Sequence, residues 1–197
     1  MVSTFISGFS SYFFHIQIKN SNPKRVLEVG VGNGFVTSYL KRLGYDVTTL
    51  DILKTYVPDM KASVLKMPFK DGYFDVCLCC EVLEHLPFEY FQAGLDELSR
   101  VSKQRVILSL PDSSYHFGLK VVMPSFSLSR LISLPKFMHK RHFFDGAHYW
   151  EIGKMGYDLS MVIKEIELCE LKIINTYKIF ENPYIRFFIL KKNFGHS

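Results

Sequence analysis

The sequence predicts an α/β fold: a doubly wound, mostly parallel sheet that closes on an antiparallel final strand. Three observations predict it. Short apolar strands alternate with amphipathic helices from Arg25 onward, the pattern of a parallel sheet covered on both faces. The first strand runs directly into the turn Gly30-Val31-Gly32-Asn33-Gly34, which opens a helix. The chain has 197 residues, of which 48% are hydrophobic and 22% charged, the composition of an ordinary globular domain rather than a disordered or collagen-like chain. Residues 1–197 are therefore expected to form a single domain, large enough to bury a core without disulfide or metal staples.

Arg25–Val29 is the first strand, and Phe35, Val36, Tyr39, Leu40 and Leu43 then recur at helical spacing until Gly44. Asp46–Leu50 is the second strand. Only about ten residues, including Pro58, separate Asp51 from a third strand expected at Ala62–Leu65, too few for a full helix. Phe74–Cys80 is the fourth strand, and Phe88, Phe91, Leu95, Leu98 and Val101 follow on one helical face. Arg105–Leu110 is the fifth strand. Asp158–Leu168 is helical, with Leu159, Val162, Ile163 and Ile166 on one side. Leu171–Phe180 and Tyr184–Lys191 are the last two strands, antiparallel if they pair directly.

Residues 112–157 break the alternation. They are too long for a simple connection, and they read either as a lid over a binding site or as a pair of surface helices that only pack. Charge points to the same half of the chain. Residues 1–100 carry 10 basic and 11 acidic side chains, and residues 101–197 carry 14 and 8, so the net +5 belongs to the second half. Within it, Lys136-Phe137-Met138-His139-Lys140-Arg141-His142-Phe143-Phe144 is basic and aromatic, suited to an anionic or lipidic acceptor, to peripheral contact with a membrane, or to plain solvation.

No apolar run approaches the length of a membrane span, and Met1–Ile18 lacks a basic leader, reading as a packing segment rather than a signal peptide. Cys77, Cys79 and Cys80 lie on one strand, where positions three apart point to opposite faces, so a redox pair or zinc knuckle is not expected. Reduced buried thiols fit a cytoplasmic protein.

The glycine turn carries the chemistry. In an open parallel sheet this turn lies at the C-terminal edge of the strands, where ligands bind. Asp51 ends the second strand 17 residues beyond Gly34, where a carboxylate can accept both hydroxyls of a ribose. A dinucleotide site wants a glycine where Phe35 stands, and Glu28, two residues before Gly30, repels a pyrophosphate. A carboxylate there suits an ammonium or sulfonium, which favours S-adenosyl-L-methionine over NAD.

The residues Leu27-Glu28-Val29-Gly30-Val31-Gly32-Asn33-Gly34, Leu50-Asp51-Ile52, Met67-Pro68-Phe69 with Gly72-Tyr73-Phe74-Asp75-Val76, and Glu81-Val82-Leu83-Glu84-His85-Leu86 succeed one another in order. With Leu95–Val101 and Arg105–Pro111, they make residues 25–111 resemble the class I S-adenosylmethionine-dependent methyltransferases, which have a Rossmann-like fold, and within them the small-molecule group of ubiquinone and menaquinone biosynthesis. The resemblance implies a methyltransferase whose cofactor is S-adenosyl-L-methionine. It implies that Glu28 and the turn Gly30, Gly32, Asn33 and Gly34 hold the methionine moiety, Asp51 the ribose, and Ile52 the adenine face. Ser63, beside Val64, stands where the family has an Asp for the adenine amino group, and a hydroxyl can accept there without charge. Backbone around Cys80 lines the methyl-donor end. Beyond Pro111 the resemblance thins.

Methyl transfer from a sulfonium is an in-line displacement that proximity and alignment can drive, with no metal and no protein nucleophile. No metal-ligand spacing is evident, and no metal is expected. Where the acceptor must lose a proton, His85 is the best-placed base, since an imidazole titrates near neutral pH; it equally suits a structural role at a helix start. Glu81 lies near the strand end as a substrate or cofactor contact. His148, Tyr149 and Trp150 (the only tryptophan) are candidate substrate contacts or an aromatic plug. The expected function is methyl transfer to a small-molecule acceptor, with residues 112–157 covering it. A non-catalytic cofactor-binding or regulatory protein is the alternative, and after it a nucleic-acid or protein methylase; against base methylation, Cys80-Glu81-Val82-Leu83 stands where the family's base-amino methylases carry an Asp/Asn-Pro-Pro-aromatic motif.

Overall fold

The computed structural model describes residues 18, 22–134, 141–144 and 146–193. Segment Met1–Ile18 therefore falls almost entirely outside the described residues, as do Lys136–Lys140 of the basic stretch and Asp145.

The strands of the sheet are β1 (Arg25–Val29), β2 (Asp46–Asp51), β3 (Met60–Lys61), β4 (Phe74–Cys80), β5 (Ser102–Pro111), β8 (Leu171–Ile179) and β9 (Asn182–Lys192). Their order is β3-β2-β1-β4-β5-β9-β8. β1, β2, β3, β4 and β5 run parallel, while β9 pairs antiparallel with both β5 and β8. The expected mostly parallel sheet with an antiparallel final strand is the sheet observed. Helices α1 (Phe35–Arg42), α2 (Phe91–Val101) and α3 (Leu159–Leu168) cover it.

Period-2 alternation explains why both faces are filled. Val26, Val76, Leu78, Ile107 and Ile189 point to one core with Val36 and Leu40 of α1. Leu27, Val29, Cys77, Cys79, Leu108 and Phe188 point to the other with Phe91, Leu95 and Leu98 of α2 and Val162 and Ile166 of α3. Each buried Leu, Val or Phe adds roughly 1.5–3 kcal/mol relative to exposure. Arg100, at the end of α2, bonds the carbonyls of Met67 and Phe69, with Glu97 and Asp71 pairing its guanidinium, and so fixes the loop that leads into β4.

Three local expectations are corrected. The third strand is Met60–Lys61, not Ala62–Leu65. Asp59 accepts from the amide and hydroxyl of Thr49, at 2.9 and 2.8 Å, which brings the short crossover alongside β2 early. The chain then turns at once, with the Lys66 amide donating to the Ser63 carbonyl at 3.1 Å. The turn between the last strands is Phe180-Glu181, because Ile179 already pairs with Asn182. Among its described residues the insertion holds, in place of the expected surface helices, a hairpin of β6 (His116–Met123) and β7 (Phe126–Ser133), separate from the main sheet.

The insertion is tied down at its two ends. The Asp112 carboxylate is buried and pairs with Lys178 Nζ at 2.9 Å and Arg186 Nε at 2.6 Å. Burial raises its pKa, but Ser114, Arg186 and Lys178 outweigh that and hold it below the usual carboxylate range. At the other end Ile152 donates to the Pro111 carbonyl at 3.0 Å and accepts from the Ser113 amide at 2.8 Å. Gly153 has φ +86, and a Cβ there would lie 2.5 Å from the Ser114 amide nitrogen, so only glycine lets these two stretches meet.

Candidate functional site

The glycine turn sits where β1 meets α1, and its backbone is held from β2. The Gly30 amide donates to the Leu50 carbonyl at 2.8 Å, and the Val31 amide to Asp51 Oδ2 at 2.9 Å. Asp51 Oδ1 accepts from the Leu53 amide at 2.8 Å. Two backbone donors thus orient this carboxylate at the strand end, and each oxygen keeps acceptor capacity for a further hydroxyl. Gly30 has φ +82, and a Cβ would come 2.3 Å from Val82 Cγ2 in the loop after β4. The turn and that loop are therefore in direct contact.

Glu28 is buried beneath the turn and accepts a hydrogen bond from the Thr37 hydroxyl of α1. Burial pushes its carboxyl up to about 7, against the opposing pulls of Thr37 and the Lys41 charge. A cation arriving at the turn would favour its ionised form. Asn33 Oδ1 accepts from the Phe35 amide at 3.1 Å and so shapes the helix start. Ile52 is 60% exposed next to Asp51, an apolar face open to a planar ring. Ser63 lies in the turn after β3, its Oγ accepting from the Leu65 amide at 3.2 Å, and the Val64 side chain is in the core. Cys80 ends β4, with burial pushing its thiol up, so it stays protonated and unreactive.

The loop after β4 carries the densest charge. Glu81 has φ +55, a left-handed conformation that a residue with a Cβ adopts rarely and mostly at functional sites. Its Oε1 accepts from the Ser109 hydroxyl at 2.9 Å, and burial lifts its carboxyl to about 7. Glu84 is fully buried, and neither carboxylate oxygen has a hydrogen-bond partner among the described residues. Burial, then the neighbouring charge of Glu81, drives its pKa well above the ordinary value. His85 Nδ1 donates to the Ala147 carbonyl at 2.9 Å, and its Nε2 is 4.0 Å from Glu84 Oε1.

The insertion returns to this loop. The Tyr149 amide donates to the Glu84 carbonyl at 2.9 Å, which sets the His148 ring 5.2 Å from the His85 ring. His148 Nδ1 lies 3.1 Å from Glu151 Oε1, which also accepts from the Tyr184 hydroxyl at 2.6 Å. Burial raises the Glu151 carboxyl, but His148, Ser113, Tyr184 and Lys154 together hold it at about 2. Tyr149 is 43% exposed, and its ring lies 4.6 Å from that of Phe144 at a tilt of 38°. Trp150 is placed differently from a substrate contact: it is 0% exposed, packs edge-on against Phe88 and Phe91, and donates from Nε1 to the Leu86 carbonyl at 3.1 Å. It is the plug that seats the insertion. Arg141 and Phe143, the described remnant of the basic stretch, are exposed with the guanidinium 5.9 Å from the ring centre.

Glu84 and Glu151 are not among the site residues legible in the sequence. Glu84 stands in the Glu81–Leu86 run, and its burial beside Glu81 is what singles it out. Within 4.8 Å of one another lie ligand-type atoms of Glu84, His85 and His148, a grouping that the linear spacing does not announce.

Residues 27–110 match the family model of the methyltransferase domain. The chain is 34% identical over 94 residues to an uncharacterized protein of Methanocaldococcus jannaschii, covering 44% of this chain and 40% of that protein. It is 31% identical over 75 residues to the ubiquinone biosynthesis O-methyltransferase of Rickettsia typhi, covering 32% of this chain and 30% of that one. The chain thus matches well under half the length of these curated relatives. Among solved structures, the Burkholderia thailandensis 1,6-didemethyltoxoflavin-N1-methyltransferase, with bound 1,6-didemethyltoxoflavin and S-adenosylhomocysteine, superposes with a TM-score of 0.62 at 14% identity, covering 94% of this chain and 77% of that one. Magnesium protoporphyrin IX methyltransferase of Synechocystis, with bound S-adenosylhomocysteine, gives 0.64 at 16%, covering 94% and 81%. These likenesses show the class I methyltransferase fold. No helix among the described residues is long and apolar enough to cross a membrane.

Proposed function

We propose that the protein transfers a methyl group from S-adenosyl-L-methionine to a small-molecule acceptor. The observation that carries this is the pairing of Asp51 with the glycine turn: one carboxylate, aligned by the Val31 and Leu53 amides, stands beside a turn whose floor is the buried Glu28. The ribose hydroxyls would take the remaining lone pairs of Asp51, and the methionine ammonium would face Glu28. Gly30 and Gly32 let the backbone approach the methionine chain, while Ile52 packs on adenine and Ser63 accepts from its amino group. The match of residues 27–110 to the methyltransferase-domain model and the cofactor product bound in two structural neighbours support the same cofactor.

The acceptor would lie against the loop after β4, between Glu81, His85, His148 and Tyr149, with residues 112–157 covering it. The acceptor's attacking atom would stand in line with the sulfonium, and the close packing of Trp150 under the loop keeps these groups in register. Contact with nucleic acid forms no part of this reading.

Binding of S-adenosylhomocysteine, followed by calorimetry, tests it. Asp51→Ala is expected to weaken binding at least about 50-fold, the loss of two charge-assisted hydrogen bonds. An unchanged affinity in a folded variant overturns the cofactor assignment. Transfer of a labelled methyl group to any component of a small-molecule extract separates an enzyme from a protein that only binds the cofactor.

A further inference from the structure

We propose that Glu84, His85 and His148 form a binding site for one divalent first-row transition cation, next to the glycine turn. Four features of the structure point there. The first is the buried Glu84 carboxylate, both of whose oxygens lack a hydrogen-bond partner among the described residues. A buried carboxyl with no partner for either oxygen is destabilising whether or not it carries a proton, and a coordinated cation would occupy those oxygens.

The second is distance. The ligand-type atoms of the three side chains lie within 4.8 Å of one another, and His85 Nε2 is 4.0 Å from Glu84 Oε1. That is too long for a hydrogen bond. Atoms each about 2.1 Å from a shared ion stand on the order of 3–4 Å apart, so sub-ångström side-chain shifts complete the set.

The third is the way the two imidazoles are held. His85 Nδ1 bonds the Ala147 carbonyl at 2.9 Å, and His148 Nδ1 bonds the Glu151 carboxylate at 3.1 Å. A carbonyl or carboxylate on one ring nitrogen is the outer support that orients a ligating histidine and raises its basicity, and it puts the proton of the neutral ring on Nδ1. Neither bond has an obvious use if the rings merely pack.

The fourth is charge. Among the described residues no lysine or arginine pairs with the buried Glu84, and Lys154 Nζ lies 3.6 Å from the Glu151 carboxylate instead. A dication restores the balance. Mixed imidazole and carboxylate donors suit manganese, iron, cobalt or zinc, and exclude calcium, which takes oxygen throughout.

The site is also correctly placed to matter. Val82, two residues before Glu84, reaches the space that the missing side chain of Gly30 leaves. An ion here faces the methyl-donor end, where it would take an oxygen of the acceptor and make a hydroxyl the favoured nucleophile. That last clause rests on the methyl-transfer reading; the ion site does not.

The test is a titration of chelator-stripped full-length protein with Mn²⁺ alone, the free ion counted by its paramagnetic resonance signal and unfolding followed in parallel. One Mn²⁺ per chain is expected, with a dissociation constant below about 50 µM and a rise in Tm on binding. Zn²⁺ is expected to displace it. His85→Ala, at a half-exposed side chain, should weaken binding at least about tenfold while the circular dichroism spectrum stays that of the parent, and Glu151→Gln should weaken it by about tenfold through His148. Less than about 0.2 Mn²⁺ per chain overturns the proposal, as does an affinity unchanged in His85→Ala. Neither cofactor nor acceptor is present in the titration, so its failure leaves the methyl-transfer reading standing, and loss of that reading leaves the titration interpretable.

Discussion

The glycine-turn edge and the insertion meet at one loop yet are built on different principles. The edge is assembled from neighbours in sequence and in the sheet: β1, its turn and Asp51 are linked by short backbone bonds from adjacent strands. The insertion reaches the same place through a few long-range ties, chiefly Asp112 to Lys178 and Arg186, and Trp150 to Leu86. Its hairpin carries exposed apolar side chains, Phe117 and Val122 among them, whereas Val26, Leu27 and Val29 are buried. A ligand edge can thus be encoded locally, while the residues that face it from above depend on a handful of anchors.

Breaking the strongest anchor should give the largest effect. Asp112→Ala leaves two poorly exposed cations without a counter-ion and is expected to lower global stability by about 3–5 kcal/mol, measured by urea unfolding. A loss below about 1 kcal/mol would mean that the insertion docks independently of the sheet.

Glu28 gives an intermediate effect and sharpens the contrast from the edge side. Its folded pKa of about 7 exceeds the unfolded value of 4.5, so the folded chain holds a proton that the unfolded chain releases. Stability from this group is full below pH 4.5, declines as pH rises toward 7, and the total change is about 3 kcal/mol. Glu28→Gln should remove this part of the slope between unfolding curves taken at pH 5 and pH 8. Affinity for a cationic ligand should move oppositely, tightening from pH 6 to pH 8 in the parent but not in the variant.

The smallest effect belongs to the hairpin tip. Val122→Ser, at a side chain 68% exposed, is expected to change stability by no more than about 0.5 kcal/mol in the same unfolding assay. A larger loss would show that the hairpin surface is covered in solution.

The same contrast explains what is legible in the sequence. Strand β1, the turn and Asp51 announce themselves because glycine placement and period-2 burial are local properties. Strand β3 lies two residues before its expected start because Asp59, a side chain bonding Thr49 at 2.8 Å, sets the crossover rather than any apolar run. The hairpin shows alternation at Phe126, Leu128, Arg130 and Ile132 around the turn Pro124-Ser125, but both of its faces are largely open, so no buried stripe marks it. His148 is readable as a candidate. Its approach to His85, 63 positions earlier, is made by the Tyr149–Glu84 backbone bond and the Trp150 plug, and neither has a local signature. Trp150 itself is a candidate contact on composition, and burial gives it the structural part.

Asp112 and Ile152 form a bridge, side by side, where the insertion leaves and rejoins the sheet. Everything between them is a closed excursion whose two ends are already fixed at one spot. The entropy of closing such a loop grows only slowly with its length. The segment can therefore be shortened, lengthened or exchanged for that of another methyltransferase domain at little cost to the sheet, provided Asp112, Trp150 and Gly153 are kept. On the proposed function, acceptor choice in this architecture would be a replaceable part.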